Sequence, residues 1–462
     1  MTESPSLSVL FTPPPTPNGG LHVGHVSGPY LRADLNCRLA NALGHAATHC
    51  SHVDNYQTYV ATKAHQLGRD PYELRQEMTS LIAKDFADFG IGVRWNVDNT
   101  APNYRSFLDG ALTELFSDVR ATGRVEFVGT DPRRGAAEAF VAVTCPQCLQ
   151  RASLNVCENC ARPLDLSDAI DAVEESTGNR TFIEGDSGEF PATLTITEDD
   201  LSFVRAQYRH GLVFDNAFVA ALLQDLSAHS VALTFRSDYG YEVGPGRVIN
   251  PWIEIFFAHA YSLGLVLGLP ETMSVAQLRT ALESRRGVEV SYYFGSDNAY
   301  YYAVLFPLLA KIMRFPALLP VALKANRFLR LNGRKMSSSR SNAIWARDLT
   351  PDGPGRLLRR ELAMSCPEYA EQELRNPSDH SDLDWPAAEP EARPVFDNPA
   401  TEIGRCFRVG LGKEAHPQRF SVAGLLKRID KAVEYTNLSH GSAAERSELT
   451  AMVGYLLAAL EL

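Results

Sequence analysis

The sequence predicts an α/β protein in which a parallel sheet is divided by an insertion and followed by a small helical region. Three observations support this prediction. A short apolar run with an amphipathic stretch behind it opens the chain, and further strand-like runs with a helical stretch follow residue 290. Between them, residues 120–237 hold short strand-like runs, turns and four clustered cysteines. Strands that alternate with helices on both sides of an insertion indicate one parallel sheet.

The first half of the predicted sheet domain covers residues 1–119. Leu7 to Phe11 is a short apolar strand, and Thr12 to Gly20 is a loop rich in proline and glycine. From His22 to Gly44, apolar residues recur at helical spacing. Pro71 to Phe89 predicts a further helix, because proline is well suited to a first helical turn.

The insertion, residues 120–237, carries two Cys-x-x-Cys pairs separated by eight residues. They are Cys145-Pro-Gln-Cys148 and Cys157-Glu-Asn-Cys160. Four thiolates at this spacing can close a tetrahedral zinc site, whose four sulfurs leave no position for water. We therefore expect a structural zinc that holds a small insertion together. The alternative is four unrelated thiols. The other four cysteines are scattered, which is typical of a protein from a reducing compartment.

The second half of the sheet domain covers residues 238–345. Ser291 to Ser296 predicts a strand that leads into a helix from Ala299 to Arg314. A further strand, Ala325 to Leu331, ends in Asn332-Gly333, a strong signal for a hairpin turn.

The remaining residues divide into a linker or stem at 346–400 and a reduced helical domain at 401–462. Glu371 to Pro394 contains seven acidic and two basic residues and predicts a solvated linker. Two amphipathic stripes beginning at Val422 and Leu449 predict a packed helical hairpin.

Composition excludes several classes of protein. The chain has 462 residues, 45% of them hydrophobic, so disorder is not its main state. Its 44 basic and 55 acidic residues give a net charge of −11, which disfavours extensive nucleic-acid contact while still allowing a local basic patch. No apolar stretch reaches the roughly 18 residues of a membrane span, and Met1 to Phe11 does not have the pattern of a signal peptide. We expect a cytoplasmic protein without a membrane partner.

Two short motifs can carry chemistry. His22-Val23-Gly24-His25 begins the first helix, where histidines three residues apart share a face and free N–H groups attract an anion. Gly24 between them permits close approach of a base or phosphate. Lys335-Met336-Ser337-Ser338-Ser339 follows the hairpin turn, and its cation and hydroxyls can hold a polyphosphate. Taken singly, each motif has a simpler interpretation. The first is a pair of histidines that cap the helix, and the second is a polar surface loop.

In this order and at this separation, the two motifs resemble the HIGH and KMSKS signatures of class I aminoacyl-tRNA synthetases. The cysteine cluster between them narrows the resemblance to methionyl-tRNA synthetase. It covers roughly residues 7–350 and implies a Rossmann-like sheet split by a connective insertion that contains zinc. The implied activity is ATP-dependent formation of an aminoacyl-adenylate with release of pyrophosphate, and Mg²⁺ accompanies ATP.

The resemblance also implies roles for individual residues. His22 and His25 contact the phosphates of ATP and stabilise the transition state, and Lys335 holds the leaving pyrophosphate. Gly295 and Asp297 match the segment that meets the ribose. The other implied ATP contacts are Gly24, Met336, Ser337, Ser338 and Ser339.

For the amino acid, the resemblance implies that Asp54 pairs with the α-ammonium group, since a desolvated cation needs a partner. The implied pocket residues are Pro14, Thr16, Trp252, Phe256, His259, Tyr301 and Tyr302. Several depart from the family: Thr16 replaces an aromatic residue, Phe256 a proline, His259 a tyrosine and Tyr302 a histidine. These changes alter both bulk and polarity, so we expect a smaller or more polar amino acid than methionine.

Two further departures concern catalysis and the acceptor. Ser338 stands where the family carries its second lysine, which removes one cation from the loop. The residues after 401 form only a stub of the family's anticodon-binding bundle and contain no tryptophan beyond Trp385. Stacking and cations are the usual means of gripping single-stranded bases. We expect these helices to buttress the catalytic core.

Three functions follow as hypotheses. The first is activation of an amino acid with transfer to a small-molecule acceptor in a natural-product pathway. Synthetase-like parts of hydrazine synthetases suggest an N-hydroxylated lysine as that acceptor and a cupin as partner protein. The second is a truncated methionyl-tRNA synthetase that charges tRNA. The third is a catalytically silent paralogue that binds a nucleotide or a partner.

Overall fold

The computed structural model describes residues 7–118, 120–122, 125–128, 138–164, 170–180, 183–186, 192–209, 217–284, 287–336, 343–349, 356–374, 385–437 and 441–462.

A five-stranded parallel sheet forms the centre of the protein. Its strands are β1 (Leu7–Phe11), β2 (Ala47–Ser51), β3 (Arg94–Trp95), β4 (Val288–Gly295) and β5 (Ala322–Asn326). Their order across the sheet is β5-β4-β1-β2-β3, so the sheet joins the two halves of the chain on either side of the insertion. Leu10 of β1 lies opposite His49 on one side and Ser291 on the other. The predicted parallel α/β sheet divided by an insertion is confirmed.

The first helical stretch contains an interruption that the sequence pattern did not predict. An α-turn at Val23–His25 passes into a π-helical segment at Val26–Tyr30 and then into the helix Leu31–Ala42. Pro29 lies inside the π segment. Proline lacks an N–H group and clashes with the preceding turn, so a regular helix cannot continue through it. The other helices of this half are Tyr59–Leu67, Pro71–Asp88 and Pro102–Phe116.

In its described residues, the insertion consists of short antiparallel strands and two helices. The strands are Ala121–Thr122, Val125–Val128, Val141–Thr144, Arg151–Ser153, Asn155–Val156, Pro163–Leu164, Ile170–Glu174, Ile183–Asp186, Thr193–Ile196 and His229–Ala232. A 3-10 turn at Glu138–Phe140 lies between the second and third of these strands. The two helices are Glu198–Arg209 and Ala217–Asp225. One small hydrophobic cluster, which includes Phe140 and Val143, packs around the cysteines.

The four insertion cysteines form two matching turns. The amide of Cys145 donates to the carbonyl of Gln150 at 3.0 Å, and that of Cys157 donates to the carbonyl of Arg162 at 2.9 Å. The sulfurs of Cys145 and Cys160 lie 3.8 Å apart, and those of Cys148 and Cys157 lie 3.6 Å apart. All four lie within 4.8 Å of one another. A Zn–S bond of about 2.3 Å makes the edge of a tetrahedral site about 3.8 Å, so the donor set fits zinc.

The second half returns to the sheet through helical segments, of which Pro251–Val266 is the longest and is almost entirely buried. They are Pro251–Val266, Val275–Ser284, the π-helical Tyr301–Leu305 and Phe306–Met313, with 3-10 turns at Ser296–Asn298 and Pro316–Leu318. Three short strands, Thr234–Arg236, Glu242–Gly244 and Arg247–Ile249, form a separate small sheet.

The predicted strand from Ala325 to Leu331 is wrong, because this segment belongs to two strands. β5 ends at Asn326, and the chain leaves the sheet where the amide of Arg327 donates to the carbonyl of Pro367 at 2.7 Å. A second strand, Leu329–Leu331, then forms a hairpin with Arg334–Lys335. The predicted turn at Asn332-Gly333 is confirmed, with φ values of 53° and 73°. Gln372–Glu373 adds a parallel strand to this hairpin.

The C-terminal residues form helices that pack on the first half of the sheet domain. They are Ala346–Leu349, Arg356–Met364, Arg393–Asp397, Glu402–Ala415, Val422–Asn437 and Ala443–Leu460, with a 3-10 turn at Pro390–Ala392. Apolar residues of the last three share one core with the helix Leu31–Ala42. The predicted hairpin of the last two helices is confirmed. Glu402–Ala415 was not predicted, because its three glycines lower the helix propensity of the segment.

Two buried ion pairs join the C-terminal part to the helix Leu31–Ala42. Arg32 contacts Glu368 at 2.9 Å, and both side chains are almost fully buried. Asp34 pairs with Arg359, which also donates to the carbonyls of Phe89 at 2.9 Å and Leu460 at 3.2 Å. The Arg359 guanidinium and Arg38 lower the pKa of Asp34 against the opposing effect of burial. None of the described helices combines the length and apolar character of a bilayer-spanning segment.

Replacing Arg359 with alanine should lower the free energy of unfolding by about 3–5 kcal/mol, since it leaves Asp34 charged, buried and deprived of one partner. Denaturant unfolding measures the change. Arg393→Ala serves as the matched control, because its ion pair with Asp397 is largely exposed and contributes about 0–1 kcal/mol. Equal losses for the two variants would contradict the role given to Arg359.

Purified protein should carry close to one zinc ion per chain, and Cys157→Ser should reduce this content and make the insertion sensitive to protease. The physical reason is that a three-thiolate site binds zinc less tightly and the insertion has little core of its own. Elemental analysis and limited proteolysis measure the two effects. Cys406→Ser, at an exposed cysteine outside the insertion, is the control. Full zinc content in Cys157→Ser would contradict the assignment.

Candidate active site

A cavity of about 280 Å³ opens at the carboxyl ends of β1 and β4. The chain leaves β1 toward β2 on one side, while β4 lies on the other, so the strand order reverses at this point. Open parallel sheets bind ligands in the crevice that such a reversal creates. The loop after β1, the turn after β4 and the hairpin after β5 all line it.

His22 and His25 stand together at one wall of the cavity. Their rings stack with centroids 3.6 Å apart. The His22 ring accepts from the amide of His25 at 3.3 Å, and the His25 ring accepts from the amide of His22 at 3.4 Å. A Cβ atom at Gly24 would lie 3.0 Å from the His22 ring, so glycine is what permits this arrangement. The simpler expectation of capping histidines is therefore also met, because each ring caps the turn through Nδ1 and still lines the cavity.

The segment that follows the Lys335 loop is fixed beside these histidines. The amide of Val23 donates to the carbonyl of Ile344 at 3.0 Å, and the amide of Ala346 donates to the carbonyl of Leu21 at 2.8 Å. Met336 is buried and lines the cavity. Ser337, Ser338 and Ser339, as well as the side chain of Lys335, lie outside the described part of the chain. The backbone therefore brings the two motifs to one site.

The turn after β4 places Gly295 and Asp297 in the lining of the same cavity. β4 ends at Gly295, and Asp297 belongs to the 3-10 turn that follows. Both residues lie at the carboxyl end of a central strand, where a nucleotide is held in folds of this type. Their predicted contact with ribose stays a prediction.

Asp54 lies in the same cavity and is buried. One of its oxygens, Oδ2, accepts from Thr16 at 3.5 Å and from Gln57 at 3.4 Å. The other, Oδ1, has no hydrogen-bond partner among the described residues. Burial, and then the charge of Glu254, raise the pKa of Asp54 well above its ordinary value. A protonated amine beside Oδ1 would supply the missing partner and reverse this shift.

The predicted amino-acid pocket divides into two groups. Pro14, Thr16, Asp54 and Trp252 line the cavity. Phe256, His259, Tyr301 and Tyr302 are almost fully buried behind it and are not part of its lining. Tyr301 stacks on Trp252 with ring centroids 3.8 Å apart, and Tyr302 stacks on Phe294 at 4.9 Å. Burial lowers the pKa of His259 well below its ordinary value, so its ring is neutral within this aromatic cluster.

Several lining residues were not predicted from the sequence. They are Pro13, Pro15, Asn18, Gly20, Leu21, Pro29, Tyr30, Gln57, Tyr59, Glu138, Asn298, Asn326, Arg327, Phe328 and Leu329. Four of them, Pro13, Pro15, Leu21 and Asn298, lie next in sequence to a predicted residue, and Asn326 ends a central strand. Those positions are the signal that could have identified these five. Glu138 is different, because it belongs to the insertion and no sequence pattern marks it.

Comparison with known proteins places this geometry in a family. The family model described as "tRNA synthetases class I (M)" matches residues 9–378. The methionine--tRNA ligase of Christiangramia forsetii is 23% identical over 389 residues, covering 81% of this chain and 55% of that protein. The corresponding protein of Thermomicrobium roseum is 26% identical over 377 residues, covering 79% of this chain and 63% of that protein. The chain thus spans little more than half the length of the first of these relatives.

A solved structure shares the fold over nearly the whole chain. Mycobacterium tuberculosis methionyl-tRNA synthetase in complex with methionyl-adenylate aligns with a TM-score of 0.63 at 14% identity, covering 98% of this chain and 89% of that one. The matched region includes the first histidine motif, the cysteine cluster and the Lys335 loop. The chain therefore belongs to the methionyl-tRNA synthetase-like family of class I tRNA synthetases.

Proposed function

We propose that this protein activates an amino acid with ATP. In this reaction a carboxylate oxygen of the amino acid attacks the α-phosphorus of ATP, and the bond to pyrophosphate breaks to leave an aminoacyl-adenylate. The observation that carries the proposal is that Asp54, Gly295, Asp297 and the histidine pair all line one cavity at the strand reversal. ATP and Mg²⁺ follow from this chemistry, with Mg²⁺ held largely by the phosphates.

The binding energy of the amino group orients the carboxylate. An α-ammonium group beside Asp54 Oδ1 would fill the vacant bonding position of a buried carboxylate. Removal from water strengthens this pairing, and it fixes the amino acid at one end of the cavity. Its carboxylate is then free to approach the phosphate near the histidines.

The histidines act on the phosphate end. Each ring accepts through Nδ1 in the turn that holds the pair together, so a neutral ring carries its proton on Nε2 and can donate it to a phosphate. Donors that are fixed before the substrate arrives stabilise developing negative charge without further reorganisation. Lys335 supplies the cation for the departing pyrophosphate, and Ser338 contributes a hydroxyl rather than a second cation.

The side chain of the activated amino acid should be smaller or more polar than methionine. Trp252 closes one side of the cavity, and the aromatic cluster behind it is fully packed. Tyr302 and Phe306 pack with ring centroids 4.8 Å apart, which supports a shorter side-chain space than a long thioether needs. An interior this dense accepts a larger group only at the expense of strain.

The names of the relatives favour tRNA as the acyl acceptor. A small-molecule acceptor such as an N-hydroxylated lysine is the second candidate, and two observations favour it. The predicted amino-acid pocket departs from the family at several positions, and the C-terminal helices bury their apolar faces against Leu31–Ala42 in a shared core. A cupin partner goes with the second candidate only.

Amino-acid-dependent exchange of labelled pyrophosphate into ATP tests the proposal across all common amino acids. We expect exchange with a small or polar amino acid and weak exchange with methionine. Adding tRNA or N6-hydroxylysine in separate reactions then identifies the acceptor. Absence of exchange with every amino acid would refute activation and would favour a catalytically silent nucleotide-binding protein. Strong exchange with methionine together with tRNA charging would establish the tRNA ligase.

Replacing Lys335 with alanine should reduce exchange by orders of magnitude while amino-acid affinity changes little. The lysine contributes mainly to the charge that develops on the departing pyrophosphate, so its effect falls on kcat. Steady-state exchange kinetics separate kcat from the KM of the amino acid. Lys427→Ala, in the C-terminal helix Val422–Asn437, is the control. An exchange rate equal to that of the unmodified protein would show that the loop has no catalytic role.

A further inference from the structure

The cavity contains a second buried carboxylate that activation as described above does not use. Glu138 is only 9% exposed and lines the same cavity as Asp54. Its Oε2 atom has no hydrogen-bond partner among the described residues. The Tyr59 hydroxyl, which also lines the cavity, is buried and unpartnered in the same sense. The Trp252 side chain lies beside the Glu138 carboxylate. Buried polar atoms are nearly always paired in folded proteins, so two unpartnered atoms that share one cavity indicate a ligand group.

Glu138 is held in place by the insertion. It begins a 3-10 turn whose third residue, Phe140, belongs to the apolar cluster around the cysteines. The hydroxyl of Thr62, on the helix Tyr59–Leu67, donates to the carbonyl of Ala139 at 3.2 Å. The carboxylate is thus positioned from two elements, and its presence in the cavity is a property of the fold rather than of a free surface chain.

The surroundings of Glu138 favour the binding of a cation beside its carboxylate. Burial raises its pKa to about 8, and the negative charges of Glu158 and Asp54 add to this rise, while the Trp252 side chain opposes it. Among the residues that the structure describes, the two charges that raise this pKa, those of Glu158 and Asp54, are both negative. A buried carboxylate in such a place is stabilised when a cation joins it and costs free energy when it stays ionised alone.

We infer that Glu138 binds a protonated amine of a substrate, in addition to the α-ammonium held by Asp54. The amine can donate to Glu138 Oε2 and to the Tyr59 oxygen. This inference rests on the proposed function and deepens it, because it assigns a basic group to one of the two substrates. That group belongs either to the side chain of the activated amino acid or to the acyl acceptor.

Two kinetic arms distinguish these sources in Glu138→Gln and in unmodified protein. The first measures pyrophosphate exchange with matched pairs of amino acids that differ by a side-chain amine, such as ornithine and norvaline. The second uses the best amino acid and compares N6-hydroxylysine, which carries an α-amine, with hydroxylamine as acceptor. Glu175→Gln, an exposed acid of the same insertion, is the matched control, and Asp54→Asn should lose exchange with every amino acid.

We expect Glu138→Gln to raise KM at least tenfold for the amine-bearing member of one arm. The KM values of its neutral counterpart and of ATP should stay unchanged. An effect in the first arm assigns the amine to the amino acid, and an effect in the second assigns it to the acceptor. Unchanged KM values in both arms, or an equal rise for neutral and amine-bearing compounds, would overturn the inference.

Calorimetric binding separates this inference from the proposed function. Ornithine and N6-hydroxylysine are titrated into both proteins in the presence of a non-hydrolysable ATP analogue, and circular dichroism verifies that the variant is folded. Binding that Glu138→Gln weakens tenfold, without exchange by the unmodified protein, would support the amine site and refute activation. Exchange by the unmodified protein without a difference in binding or KM would refute the amine site alone. Absence of both would refute both.

Discussion

The pairing of β1 with β4 is the constraint on which the rest of the structure depends. It pairs a strand that begins at Leu7 with a strand that begins at Val288, so the insertion lies in sequence between two strands that are neighbours in the sheet. The strand order also reverses at this pair, so the loop after β1 and the turn after β4 face one crevice. The position of the ligand site is therefore a property of the sheet topology, and the side chains in the loops decide its chemistry.

Elements outside the sheet also contribute to the ligand site. The C-terminal helices pack against the helix Leu31–Ala42, which follows the histidine turn, and Arg32 and Asp34 on that helix find their ionic partners in the C-terminal part of the chain. The insertion reaches back to place Glu138 beside Trp252. Two parts of the chain that are distant in sequence thus act on one cavity. The C-terminal helices make its support rigid, and the insertion adds a carboxylate to it.

The sequence was sufficient to predict features whose signal is local. The parallel sheet, the cysteine pairs, the Asn332-Gly333 turn and the histidine motif all depend on patterns of a few residues. What it could not predict depends on tertiary contacts. Pro29 converts part of a helical pattern into a π segment, and glycines hide the helix Glu402–Ala415. Glu138 carries no local signal, and the burial of His259 and Tyr302 behind the cavity emerges only when the aromatic cluster is assembled. The roles predicted for these residues stay predictions.

The locality of the cysteine cluster has a consequence for the order in which the chain folds. Its four ligands lie within sixteen residues, so the insertion can close while much of the chain is still being synthesised. β1 can pair with β2 early, but its other edge waits for β4, which emerges far later. Long-range parallel pairing is slow, because the chain loses the entropy of loop closure before the strand contacts lower its free energy. Until then the backbone N–H and C=O groups on one edge of β1 are unpaired, and such an open edge favours aggregation of the nascent chain.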